Sequence, residues 1–270
     1  MKLKELLKSK LTQKELSIMP SSFDVVGTIA IFIDFPKQLI KKEKMIAELL
    51  LKNYSNIKTV AKKTGFYSGR YRTPKIKIIA GERTKETIHK ENNVNIKLNI
   101  ETCYYSPRLS TERLRIAKLI RKNENILVMF SGVGVYPLVL SRNSKAKEIY
   151  GIELNKEAHN YGLENVKINK LSNIILLKGD VKKVVKKINI KFDRIIMPLP
   201  KSSEKFLDSA LNVSKKGTIM HFYDFQNENE FNKSKDKIKK HINNFKILKV
   251  VKCGQYAPRK YRICVDFKVL

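Results

Sequence analysis

The chain has 270 residues, enough for roughly two domains at ~150 residues each, and its 42% hydrophobic content excludes a disordered polymer. Its 56 Lys+Arg against 25 Asp+Glu give a formal net charge of +31. That excess points to a polyanion, nucleic acid before an anionic membrane surface, and away from an enzyme meeting only small neutral metabolites.

Residues 1–20 form a basic, amphipathic lead that reads as a surface helix. It lacks the continuous apolar run and small-residue cleavage site of a secretory signal. After the Pro20–Ser22 break, the β-branched run Asp24–Phe35 reads as a strand, residues 37–52 as a helix and Ile57–Lys63 as a strand. The stretch 65–82 is rich in glycine and basic residues, and 85–105 reads as one or two strands. Residues 21–100 thus describe a small α+β domain with a basic, aromatic-studded face.

From residue 101 onward strands and helices alternate. Helix Ser110–Lys122 precedes strand Glu124–Phe130, and strands follow at 148–154, 173–180 and 192–200, with helical stretches between them. A helix over 202–214, a strand over 217–225, a charged helix around 227–243 and two adjacent C-terminal strands (245–254 and 259–270) complete the chain. Alternation of this kind builds a parallel sheet with helices on both faces, the late strand pair forming a hairpin at one edge. No stretch approaches the ~20 apolar residues of a membrane helix. Cys103, Cys253 and Cys264 are scattered, with neither disulfide nor zinc spacing, so a reducing, cytoplasmic compartment is expected.

Strand Glu124–Phe130 runs directly into Ser131-Gly132-Val133-Gly134. Glycines there let the backbone turn tightly against a ligand at the carboxyl end of the first parallel strand. Pro137 stands where a third glycine would complete a dinucleotide fingerprint, which weakens a nicotinamide reading. Glu153 ends the next strand and can accept from ribose hydroxyls, and Asp180 ends the third, where it can meet an adenine amino group or cap the following helix. Asn155 either caps a helix or touches the cofactor. This set resembles the class I S-adenosylmethionine-dependent methyltransferase (Rossmann-like) domain.

The segment Tyr104-Tyr105-Ser106-Pro107-Arg108-Leu109-Ser110-Thr111-Glu112-Arg113 resembles a signature of the archaeal and eukaryotic tRNA (guanine-37-N1)-methyltransferases. Phe23–Phe32, Met129–Leu138, the 195–207 stretch and Tyr256–Phe267 resemble further segments of that family in the same order. The resemblance covers roughly residues 20–270. It implies an α/β methyltransferase domain preceded by a small α+β domain, and methyl transfer from S-adenosylmethionine to tRNA through its anticodon stem–loop. No membrane and no stable protein partner are implied, and a monomer is expected.

Guanine N1 carries a proton, so the reaction needs a base and a group to stabilise charge developing on O6. The resemblance assigns the base to Glu112, which could otherwise pair with Arg115 or Lys118. It assigns O6 stabilisation to Arg72, with Arg70 not separated from it by spacing. Tyr104 would stack on the flipped base or, alternatively, sit in the core. For the cofactor the resemblance assigns Phe130, Ser131, Gly132 and Gly134 in the loop, and Glu153 and Asn155 after the second strand. It adds Asp180 and Val181 after the third strand, with Arg108 and Pro198 completing the set. Magnesium is linked to the family, although no carboxylate cluster marks a metal site.

Two departures stand out. Met197-Pro198-Leu199-Pro200 occupies the place of an Asn-Leu-Pro or Asn-Pro-Pro segment, and proline removes an amide side chain and a backbone donor. Backbone carbonyls of that turn would remain to accept from the base. Only roughly 20 residues precede the resemblance, so a weaker check of the distant tRNA body is expected. Two alternatives stay open: a wybutosine-pathway transfer, aminocarboxypropyl or methyl, to a modified guanosine 37, against whose first form Arg108-Leu109 argues, and a catalytically silent tRNA-binding protein.

Overall fold

The computed structural model describes residues 3–65 and 69–270; Phe66–Ser68 of the basic stretch lie outside the described residues. The chain divides into two compact units, Met1–Lys90 with Asn95–Pro107, and Glu91–Val94 with Arg108–Leu270.

The first unit opens with helices α1 (Leu3–Leu7) and α2 (Gln13–Ile18). The lead is not the surface helix its charge suggests. Leu3, Leu7, Leu11 and Met19 are buried with Phe32, Leu39, Ile46, Leu50 and Val60. Leu3 and Leu7 lie one helical turn apart and share a face, leaving the lysines outside. The Asp24–Phe35 run is two strands rather than one. β1 (Asp24–Val26) and β2 (Ile29–Phe32) pair antiparallel about Gly27, whose φ is +57°. A Cβ on Gly27 would lie 2.1 Å from Thr87 Oγ1, so the turn needs both the conformation and the space that glycine supplies. Residues 37–42 form a 3-10 turn before α3 (Glu43–Asn53) begins. β3 (Thr59–Lys63) and β4 (Ile76–Gly81) complete a sheet of order β1-β2-β3-β4. β5 (Glu86–Glu91) and β6 (Val94–Asn99) form a separate hairpin. Its two-residue turn holds Asn92 and Asn93 at φ +43° and +64°, the left-handed pair that such turns require.

The second unit begins with α4 (Ser110–Lys118), one turn shorter than its pattern suggested, and β7 (Asn125–Met129). It continues through α5 (Val135–Asn143), β8 (Glu148–Glu153), α6 (Lys156–Ile168), β9 (Ile174–Lys178), α7 (Val181–Val184) and β10 (Phe192–Met197). The remainder is α8 (Leu207–Leu211), β11 (Ser214–Asn227), α9 (Asn232–Lys239), β12 (Phe245–Ala257) and β13 (Lys260–Val269). The helices expected over 202–214 and around 227–243 are both shorter than their patterns. The polar residues at their ends add little apolar face to hold further turns.

The sheet order is β12-β13-β11-β10-β7-β8-β9. The strands from β9 to β11 are parallel, and the β12–β13 hairpin adds antiparallel to β11 at one edge, as the sequence indicated. Side chains alternate between two cores. Leu127, Met129, Ile195, Met197 and Phe222 pack with Val181, Leu207 and Ile238 on one face. Ile126, Val128, Ile196, Tyr223 and Cys264 pack with Ile116, Tyr136 and Leu140 on the other. Strand order reverses at β7, with β8 on one side and β10 on the other, and at such a switch point the loops at the carboxyl ends part to leave a crevice. No helix among the described residues is long and apolar enough to cross a membrane.

Candidate active site

The loop leaving β7 is shaped by left-handed residues. Phe130, Gly132 and Gly134 have φ of +59°, +57° and +81°, and Gly134 is the N-cap of α5. The turn closes through the Gly134 N–H donating to Ser131 O at 3.0 Å, and the Ser131 N–H ties it to β8 at Ile152 O, 2.9 Å away. Glu153, the last residue of β8, reaches back to this loop. Its Oε2 accepts from the Gly132 N–H and its Oε1 from the Asn155 N–H, both at 2.7 Å. Burial pushes the Glu153 carboxyl above its ordinary range, and the backbone N–H bonds oppose that shift. A half-buried carboxylate at this strand end, aimed at the glycine loop, is placed as a ribose-binding acid is.

Two residues that sequence reasoning passed over hold the loop from α6. Gly162 packs against it: a Cβ there would stand 3.5 Å from the Val133 carbonyl carbon and 2.9 Å from Leu176 Cδ1. Asn165, fully buried, donates to Val133 O at 3.0 Å. The absent third glycine of the loop thus has its packing counterpart in the facing helix. A glycine inside a helical pattern was the signal for it.

The other expected cofactor residues lie at the same carboxyl edge. Asn155 Oδ1 caps α6 by accepting from Glu157 N at 3.0 Å, and Asp180 Oδ1 caps α7 from Lys182 N at 2.9 Å. The capping role of both is therefore present. Val181 is buried beside Asp180, and Phe130 packs edge-on against Phe206 at 4.8 Å. Pro198 follows β10 in a turn where Met197 O accepts from Leu199 N at 2.8 Å and Ser203 Oγ at 3.0 Å. The Met197 carbonyl, expected to remain for the base, is thus already engaged.

Glu112, on the first turn of α4, is buried. Arg115 donates to it twice, from Nε to Oε2 at 2.7 Å and from Nη2 to Oε1 at 2.8 Å. The Tyr223 hydroxyl donates to Oε1 at 2.6 Å and itself accepts from the Tyr136 hydroxyl at 3.0 Å. Burial raises both tyrosines far above the ordinary phenol range, so they are fixed as donors. Arg115 also binds Asp266 at 2.6 Å. Asp266 meets His221 Nδ1 at 2.6 Å, and Arg194 meets His221 Nε2 at 2.8 Å. One tautomer satisfies both His221 bonds: neutral imidazole with its proton on Nδ1. Asp266 is held well below its usual range by His221 and Arg115 against the opposing effect of burial.

His221, Cys264 and Asp266 are the group of possible metal ligands among the described residues. They do not fit magnesium, which takes oxygen donors. Both His221 nitrogens are engaged, and two guanidinium groups flank the set.

Arg108 lies in the short 3-10 turn Pro107–Leu109 that leads into α4. Arg72 and Tyr104 belong to the first unit. Arg72 is half-buried at φ +52°, whereas Arg70 is exposed. Tyr104 is half-buried in the extended segment beyond β6, not on a strand of the core.

A parallel sheet whose strand order reverses at a glycine loop, with a half-buried acid closing the second strand, is the arrangement of a class I methyltransferase unit. Residues 87–251 match the TRM5/TYW2 methyltransferase domain, and residues 3–84 match the TYW2 N-terminal domain. The chain belongs to the TRM5/TYW2 family of S-adenosylmethionine-dependent tRNA-modifying enzymes. It is 37% identical over 257 residues to tRNA (guanine(37)-N(1))-methyltransferase Trm5b of Pyrococcus abyssi, covering 93% of this chain and 76% of that protein. It is 32% identical to the tRNA (guanine(37)-N(1))/4-demethylwyosine(37)-methyltransferase Taw22 of Nanoarchaeum equitans, over 92% of this chain and all of that one. Methanocaldococcus jannaschii Trm5 in complex with adenosine superposes with a TM-score of 0.84 at 32% identity, over 99% of this chain and 78% of that one.

Proposed function

We propose that this chain transfers a methyl group from S-adenosylmethionine to N1 of guanosine 37 in the tRNA anticodon loop, the reaction named for its Trm5b relative. One observation carries the reading: the second unit combines the Glu153 cradle with a buried carboxylate, Glu112, presented by the Ser106–Arg113 segment. The cradle fits a nucleoside cofactor, because Glu153 suits ribose hydroxyls and the Gly132–Gly134 turn presents backbone close to a ligand.

When bound, S-adenosylmethionine supplies an electrophilic methyl group on a sulfonium. The chain supplies the rest. Glu112 takes the N1 proton and so frees the nitrogen lone pair that would accept the methyl group, the electrons of the S–C bond staying on the cofactor's sulfur. Arg115 and Tyr223 keep the Glu112 carboxylate in one orientation throughout. In this reading Arg72 donates to O6 as negative charge develops there, and Tyr104 stacks on the extruded base. No step is assigned to magnesium. In this reading the enzyme acts in the cytoplasm and as a monomer, and light scattering in solution tests the monomer.

The test of the reaction is methyl transfer from labelled cofactor to two transcripts differing only in guanosine or adenosine at position 37. Label on the guanosine transcript alone is expected. Equal label on both, or on neither, contradicts the proposal.

A second reading has its own observation. Pro198 stands where the family pattern carries an amide side chain, and the Taw22 relative is named for 4-demethylwyosine(37) as well as guanine(37). Methylation of a tRNA carrying 4-demethylwyosine is the corresponding assay.

A further inference from the structure

The Tyr256–Phe267 segment resembles a family motif, yet none of the chemistry above uses its beginning. Its position is informative. β10 pairs with β11 in parallel as far as Met197 opposite Phe222. β11 then continues through Tyr223–Asn227, paired among the described residues only with Cys264–Lys260 of β13. β12 follows alongside through Val251–Ala257. A three-stranded tongue therefore extends about 16 Å beyond the parallel strands, at ~3.3 Å per residue. Because β10 and β11 are parallel, it projects from the carboxyl edge, the edge that carries the glycine loop and Glu153.

One face of the tongue continues from the candidate base. Tyr223 donates to Glu112, and Phe225, two residues on, shares its face. Phe225 lies opposite Arg262, whose guanidinium stands 5.4 Å from the ring centroid. The Tyr256 ring packs on Phe225 at 4.3 Å and 38°. Tyr256 is 63% exposed, the highest value of any large hydrophobic side chain among the described residues. The surroundings are basic. Arg259 is exposed at the hairpin turn and Lys260 is half-buried next to it. The nearby acids are partnered: Glu228 binds Lys252 at 2.9 Å and Glu230 binds Lys233 at 2.5 Å.

An open aromatic face, supported by a second ring and a guanidinium and bordered by cations, suits a nucleobase whose phosphates run past Arg259 and Lys260. We propose that Tyr256, backed by Phe225 and Arg262, is the stacking platform for an unpaired loop nucleotide adjacent to the base being methylated. The inference rests on the tRNA reading above and adds the place where the flanking nucleotide is held. Extruding one base leaves its neighbours unstacked, and the platform returns a stacking partner to one of them.

The test is equilibrium binding of an anticodon stem–loop RNA with 2-aminopurine next to the target guanosine, read by affinity and by fluorescence. Full-length wild type, Tyr256→Ala and Tyr256→Phe are compared, with melting temperature as the check on folding. Wild type and Tyr256→Phe should quench the probe. Tyr256→Ala should lose the quench and bind about five- to hundredfold more weakly, the range for removing one base–aromatic stack. Its affinity for S-adenosylmethionine should be unchanged. Equal RNA affinity and equal quenching in all three proteins would overturn the platform, as would no RNA binding by the wild type. Binding is read without catalysis, so a Tyr256-dependent quench in a protein that does not methylate guanosine 37 would uphold the platform and remove the reaction.

Discussion

Glu112 has no freedom to swing: a guanidinium and a phenol hold its carboxylate, and both are themselves held. Arg115 is anchored by Asp266, and Tyr223 accepts from Tyr136. Glu112→Gln keeps the shape and removes the base. The single-turnover methylation rate should fall about 10²–10⁴-fold with little change in tRNA affinity, and an unchanged rate would remove Glu112 from the chemistry. Tyr223→Phe keeps the packing and removes one donor. We expect kcat to fall about tenfold, roughly the worth of a hydrogen bond to a charged group, with the KM for S-adenosylmethionine unmoved. Glu112 was legible from its segment, and so was its pairing with Arg115, one helical turn away. Tyr223 and Asp266 were not. Tyr223 reaches Glu112 from β11 and Asp266 reaches Arg115 from β13, both more than a hundred residues downstream, and only sheet register brings them there.

At the scale of elements, the glycine loop depends on α6 as much as on its own residues. Gly134 has φ +81° and a Cβ there would come 3.4 Å from Gly162 Cα. Gly134→Ala meets both constraints. It should cost about 1–2 kcal/mol in urea unfolding and weaken S-adenosylmethionine binding in calorimetry. Unchanged affinity would show that the cofactor does not depend on this turn. The alternation of strands and helices was readable because buried parallel strands are short apolar runs bounded by polar turns. The Gly27 turn was not, because a single glycine within a β-branched run also reads as a bulge in one continuous strand. The burial of the N-terminal helix was hidden as well. Its lysines dominate the composition, and its few leucines decide where it sits.

Across the molecule, charge and buried polar groups set the response to conditions. Burial lowers His221 from its ordinary 6.5; Asp266 opposes that shift, while Arg194 and Arg115 reinforce it. The unfolded chain takes up this proton near pH 6.5 while the folded chain resists it. The stabilisation is therefore complete above that pH and is lost as pH falls towards the folded-state value, by at most about 1.4 kcal/mol per pH unit. Urea unfolding from pH 8 to pH 5 should show this slope, and His221→Gln should flatten it; identical slopes would contradict the assignment. The net charge of +31 should make tRNA binding steeply salt-dependent, because each phosphate neutralised releases counterions. The family's substrate gives that charge a purpose that composition alone left open between nucleic acid and membrane. The most direct measurement of the central claim is mass spectrometry of the nucleosides from tRNA incubated with the enzyme and S-adenosylmethionine. N1-methylguanosine arising from position 37 is the predicted product. An aminocarboxypropyl adduct, or guanosine left unmodified, would contradict the account.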